Sequence, residues 1–234
     1  MNKKATYIEE HIIIARIKWV KKCKRMNNMP IILPVNIKTA SISGGPNKRV
    51  IYPQVIDMQN LQTEKLINRT IVNQTQELIN QQVGNMPTTV EEMLGLYEIK
   101  NNQRNVLSLS LSNYTYHYHA AHGMTYIKSL TFDLEKAKSF ELKELFKPGS
   151  DYIQRLSTII KEQIVERKIQ LITDFTEIKP NQDYYIADKS LVIYFQLYDI
   201  TPYVFGFPMF PISVYDLQDI LDEMGPLGRM AVNN

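Results

Sequence analysis

Three histidines, His117, His119 and His122, crowd the stretch Tyr116–Gly123. Two histidines at i and i+2 share one face of a strand, and a third beyond a turn can close a metal site. Zinc normally takes a further ligand, and neither Cys nor an obvious acidic partner stands nearby in the sequence. The simpler reading is a polar strand end with His122-Gly123 in the turn. No metal is therefore expected, and the three histidines are the candidates should one bind. A second constellation lies beside the first. Tyr114, Tyr116 and Tyr118 fall on one parity of the run VLSLSLSNYTYHYH, and Tyr126 follows the turn. Such rings form a platform for a sugar or a peptide, or they pack across strands under a helix. With His122 they are the expected ligand-binding residues.

Other candidates dissolve into structure. Tyr194, Tyr198, Tyr203, Phe205, Phe207 and Phe210 are interleaved with Leu191, Ile193, Leu197 and prolines, which points to core and rigid loop. Asp183, Asp188 and Asp199 lie near turns, where short polar side chains bond their own backbone. There is no G-x-S-x-G, no phosphate-cradling glycine loop and no H-E-x-x-H. No catalytic residue and no cofactor are expected.

The elements that position these residues follow from periodicity. Leu33–Ile42 and Arg49–Ile56 read as strands about the Gly44-Gly45-Pro46-Asn47 turn, with Pro53 marking an edge or a break. Asp57–Val83 carries Leu61, Leu66, Ile67, Ile71, Leu78 and Ile79 near helical spacing and stops at Gly84. Met93–Ile99 and Val106–His119 pair about Asn101–Arg104, and Met124–Asp133 is a further strand. In Val106–His119 the leucines should face a core. Beyond Asn113 either the strand bends or the tyrosines cover a second core, making this strand a bridge between lobes. Glu141–Phe146 is a short helical turn, and Ser150–Ile172 a long helix. Asp183–Ile186 and Ser190–Phe195 form a hairpin. Ser213–Met224 is the closing helix. The expectation is α+β, with two lobes of mostly antiparallel sheet, each packed against a long helix. The lobes are expected at 31–115 and 116–229.

Composition agrees with a globular body, 44% hydrophobic and 22% charged. The excess of 14 Tyr over 8 Phe favours half-buried strands. The net charge of +3 is unevenly placed. Residues 1–30 hold eight basic side chains against two acidic, a net of +6. The other 204 residues hold 19 basic and 22 acidic, a net of −3, so no nucleic-acid partner is expected of the body. The basic segment is a disordered extension, an amphipathic surface helix, or sequence upstream of a native start at Met26 or Met29. Its apolar run, Ile12–Val20, is interrupted by Arg16 and Lys18, so neither a transmembrane segment nor a signal peptide is expected. The default compartment is then the cytoplasm. Cys23 is the only cysteine, which excludes an intrachain disulfide.

Three segments carry a resemblance: Tyr52–Ile71, Leu107–Phe146, and Asn181–Ser213. The last contains Leu191-Val192-Ile193-Tyr194-Phe195, Tyr198-Asp199-Ile200-Thr201-Pro202-Tyr203 and Gly206-Phe207-Pro208. Together they resemble the bacterial RsiV-like domain family, found in the outer portion of an anti-sigma factor and beside a deacetylase domain. The resemblance spans about 35–221. It implies a two-lobed α+β fold, a noncatalytic binding role and a cell-surface or extracellular location as the alternative compartment. Ala120-Ala121 replaces the family's glycine-rich pair before His122. The family's membrane helix, sigma-binding segment and deacetylase domain have no counterpart here, so lysozyme sensing and sigma control do not carry over. The leading expectation is a noncatalytic binding or sensor-like protein whose ligand is a protein or a cell-wall glycan. The alternatives are a hydrolase of cell-envelope polymers using Asp or His near His117–His122, and a structural protein assembling through strand edges.

Overall fold

The computed structural model describes residues 33–85 and 87–232. The basic extension over 1–30 lies outside the described residues. From Pro34 onward the chain clusters as one unit. It is α+β, with a six-stranded sheet ordered β1-β2-β3-β4-β5-β6, in which β6 is the two-residue strand Lys138–Ser139, and a three-stranded sheet ordered β7-β8-β9.

β1 (Asn36–Ser43) and β2 (Lys48–Ile56) pair antiparallel across a turn whose Gly45 and Asn47 have φ of 113° and 58°. β2 then meets β3 (Val90–Gln103) in parallel, over Lys48–Val50 alone. Pro53 sits past that contact, where the missing N–H leaves no ladder incomplete on the β3 side. Between them runs α1 (Leu61–Val83), shorter at its start than periodicity suggests. Asn60 caps it, its side chain accepting from the N–H groups of Gln62 and Thr63. Ile67, Ile71 and Leu78 of α1 are fully buried against Val55, Leu107, Leu109, Leu111 and Phe132.

β4 (Val106–His117) is the centre of the molecule. It pairs with β3 on one side and with β5 (Met124–Asp133) on the other. Its odd residues face α1. Its even residues face the second sheet at the Val106 end, where Ser108 Oγ accepts from the Ile186 N–H at 3.0 Å. The alternation runs unbroken against β5 to Thr115, so the strand does not bend at Asn113. Beyond Ser110 the even residues continue on the face opposite α1.

The second sheet comprises β7 (Tyr184–Ala187), β8 (Ser190–Tyr194) and β9 (Met209–Ser213). α2 (Tyr152–Glu166) buries Leu156 and Ile160 in its core with Ile193, Phe210 and Ile212. α2 stops before Ile172 because Lys168 turns left-handed at φ 52°, and the Ile169 N–H bonds the Ile164 carbonyl at 3.0 Å. The closing helix over Ser213–Met224 does not form. Ser213 caps a single 3-10 turn, Val214–Leu217. The chain then pairs with Leu145–Lys147: Lys147 N donates to Ile220 O at 2.8 Å and Asp222 N to Leu145 O at 3.1 Å. Sheet-like bonds to a neighbouring segment replace the helical ones. A short helix, α3 (Pro226–Ala231), ends the described chain.

Candidate functional site

The tyrosine end of β4 separates residues that the sequence groups together. Across the sheet, Leu94 of β3, Tyr114 of β4 and Thr125 of β5 are partners, so they share the face opposite α1. Tyr116 lies on the same face opposite Glu92. Tyr126 opposes Asn113 and packs toward the α1 core. It does not join the other tyrosines. Tyr118 lies just beyond the strand, largely exposed, its ring 3.9 Å from that of His119.

The histidines also part. His117 points to the α1 side, where both ring nitrogens are engaged. Nε2 lies 2.8 Å from the Gln82 carbonyl, which only accepts, so Nε2 carries the proton. Nδ1, 2.7 Å from Thr89 Oγ1, is then the acceptor in the neutral ring. His119 is exposed with φ of 62°. Among the described residues no group of three or more His, Cys, Asp or Glu is arranged to hold a metal ion.

His122 belongs to a different cluster. Its ring centroid is 4.5 Å from Tyr203 and 6.4 Å from Tyr198, and those two tyrosines are 5.5 Å apart. His122 Nδ1 lies 2.9 Å from the Gly123 carbonyl and donates to it, leaving Nε2 to face the Tyr198 hydroxyl at 3.3 Å. The Tyr203 hydroxyl donates to the same Gly123 carbonyl at 3.2 Å. Beneath lies Tyr114. A Cβ at Gly123 would fall 2.1 Å from its ring, so only glycine lets the ring close over the turn. Partial burial raises the Tyr114 phenol above its ordinary pKa, helped by Glu92, Tyr203 and Tyr116.

The loop that brings Tyr198 and Tyr203 here is held at its root. The Gln196 carboxamide accepts from Ile127 N–H at 3.1 Å and donates to Ile127 O at 2.7 Å, as a strand residue would. Its nitrogen also reaches Asp183 at 2.8 Å. Tyr198 has φ of 65°, and Pro202 and Gly206 bracket a 3-10 turn, Tyr203–Phe205. Val204 in that turn is 92% exposed, and Leu94 and Leu96 on the open sheet face are each 44% exposed. The result is a fixed aromatic cluster continuous with an open apolar strip, which can stack on a sugar ring or cover a protein side chain.

The run Tyr194–Phe210 is expected to form core and rigid loop, and it divides between the two. Tyr194 and Phe210 are fully buried in the core, and Tyr198, Tyr203 and Phe205 stand partly exposed on the loop. A signal exists: Tyr203-Val204-Phe205 lies between Pro202 and Gly206, too short and too tightly turned for all three side chains to face one core.

Comparison with known proteins bears on the fold. The family described as "Protein of unknown function (DUF3298)" matches residues 143–215. No curated protein matches the sequence. The crystal structure of a DUF3298 family member from Bacteroides fragilis is similar at a TM-score of 0.63 and 13% identity, covering 85% of this chain and 98% of that one. A DUF3298 family protein from Pseudomonas aeruginosa is similar at a TM-score of 0.62 and 14% identity, covering 87% and 98%. Among the described residues no helix is long and apolar enough to cross a membrane.

Proposed function

We propose that this chain is a noncatalytic binding or sensor-like protein of the RsiV-like type, taking a protein or a cell-wall glycan at the His122–Tyr198–Tyr203 cluster. The observation that carries the reading is the pre-organised exposure of that cluster. Its rings are fixed by hydrogen bonds to Gly123 O and by the Gln196 clamp, yet their outer faces meet solvent. Fixing rings before binding lowers the ordering cost that a ligand would otherwise meet. Leu94 and Leu96 extend the surface along β3. The compartment in this reading is the cytoplasm by default, with the cell surface or the extracellular space as the alternative that suits a cell-wall ligand. Division into lobes at 31–115 and 116–229 remains part of this proposal.

The test uses the doubly substituted chain Tyr198→Ala/Tyr203→Ala. Retention on insoluble cell-wall glycan, and on a panel of purified envelope proteins, is compared with the parent chain. The expected result is loss of retention on one of the two supports with an unchanged melting temperature. Equal retention of parent and variant on every support would remove the cluster from the function.

A further inference from the structure

β1, the edge strand at the far side of the six-stranded sheet, has no part in the aromatic cluster. In an antiparallel pair, alternate residues turn both backbone groups away from the neighbour. The Gly44 N–H donates to the Lys48 carbonyl at 3.0 Å, which fixes the alternation along β1 and β2. Lys38, Ala40 and Ile42 then bond β2, and Ile37, Thr39, Ser41 and Ser43 point outward. Two observations on β2 agree. Pro53, which lacks an N–H, pairs with Thr39, and Val55, the partner of Ile37, has its own outward N–H and carbonyl held by the Asn68 carboxamide at 2.8 Å. Side chains fill other edges in the same manner. Gln196 takes Ile127, Asn102 takes Val35, and on β9 the Pro211 and Met209 carbonyls accept from Gln163 and Arg167. Over residues 39–43 no described residue takes the outward groups, and Thr39, Ser41, Ile42 and Ser43 are all exposed.

We propose that β1 accepts an added strand from a partner protein: an extended acidic segment carrying one large apolar residue. The outward groups of Thr39, Ser41 and Ser43 recur over about 14 Å, a run long enough for main-chain pairing. Neither a bulge nor a proline interrupts it. Charge selects the partner. Residues 36–56 include Lys38, Lys48 and Arg49 and no acidic residue. None of the three bases pairs with a carboxylate among the described residues. A second copy paired through β1 would bring two such sets together with nothing to neutralise them, so an acidic segment fits the edge better. The apolar residue has a place at the Ser43 end. A pocket of about 180 Å³ opens beside Ile42, lined by Val50, Ile79, Val83, Val90 and Met93. It is too small for a drug-sized ligand and has room for one apolar side chain. Ile42 and Val50 are cross-strand partners and share the face that carries it. A residue set opposite Ile42 on an added strand turns its side chain to that same face.

The test maps backbone amides by NMR on the nitrogen-15-labelled full chain. Three synthetic peptides are titrated: acetyl-Glu-Glu-Thr-Leu-Thr-Glu-Glu amide, the same peptide with lysine for every glutamate, and the same peptide with alanine for leucine. The expected result is a shift of the Thr39, Ser41 and Ser43 amides with the acidic leucine peptide and none with the lysine peptide. The alanine peptide should bind about tenfold more weakly. Ser41→Pro, which removes only an outward N–H, should weaken the acidic leucine peptide about tenfold. If Ser41→Pro does not fold, the amide map and the alanine comparison decide. Equal shifts with the lysine peptide, equal affinity of the leucine and alanine peptides, or no shift over residues 39–43 with any peptide would overturn the proposal. Shifts over residues 39–43 on dilution of the free chain would also overturn it, assigning the edge to a second copy.

Discussion

The two ends of β4 share one alternating pattern and meet opposite fates. From Val106 to Leu111 every residue is buried, with α1 on one face and the second sheet on the other. From Ser112 to His117 the α1 face is still covered, but by polar groups, and the other face is open. At the covered end Leu107, Leu109 and Leu111 meet Ile67 and Ile71. At the open end Gln82 donates to the carbonyls of Asn113 and Met124, at 2.5 Å and 2.8 Å. One end of the strand stabilises the molecule, and the other end presents a surface. The three-stranded sheet, ending over Ser110, makes the difference.

The sharpest break in this contrast should come at the buried end. Asp133, paired in register with Val106, is fully buried and faces the Arg229 guanidinium at 3.0 Å. Its other oxygen accepts from Glu135 N–H and Lys136 N–H. Arg229→Ala strands that carboxylate and should cost about 3–5 kcal/mol, seen as a fall in the urea midpoint. A loss below 1 kcal/mol would show that the carboxylate is held by its turn alone.

Leu109→Ala should cost about 2–5 kcal/mol by cavity formation. Tyr203→Ala, at the open end, should cost roughly 0.5 kcal/mol or less, as surface changes usually do. Thermal denaturation of the pair measures the contrast directly; equal losses would abolish it.

An intermediate effect is expected where the two ends meet. Gln82→Ala leaves two carbonyls without their donor and should cost about 1–3 kcal/mol. Amide hydrogen exchange should quicken around Asn113 and Met124 and stay slow at Leu107–Leu111.

The smallest effect is in alkaline titration. Burial raises the Tyr184 phenol far above 10.0, and burial together with Asp183 raises that of Tyr194. A phenol whose folded pKa is raised contributes stability that is complete below its unfolded pKa and is lost as pH climbs beyond it. The protein should therefore weaken above about pH 10, with these two tyrosines ionising together with unfolding. Ultraviolet titration showing all phenolates forming in one step before unfolding would contradict their burial.

Much of the scaffold was legible in the residues. The leucines of β4, the apolar stripe of α1 and the Ala187–Lys189 hairpin follow from local period and turn chemistry. The closing helix was misread because Val214, Leu217, Ile220 and Leu221 have helical spacing. All four pack into the core, but their backbone partner is a remote strand-like segment. The end of α2 was misread because Lys168 occupies the left-handed position without the glycine that usually signals it.

The site was legible only in part. His122 and Tyr114 were singled out by type. Their partners Tyr198 and Tyr203 lie about 80 residues away, and Tyr126, close in sequence, faces the other way. The sequence by itself determined which faces seek burial, because periodicity and hydrophobicity act over a few residues. The tertiary structure alone decided which of those faces stays open. Coverage depends on where the second sheet ends and on a single carboxamide, Gln196, that docks a distant loop onto β5.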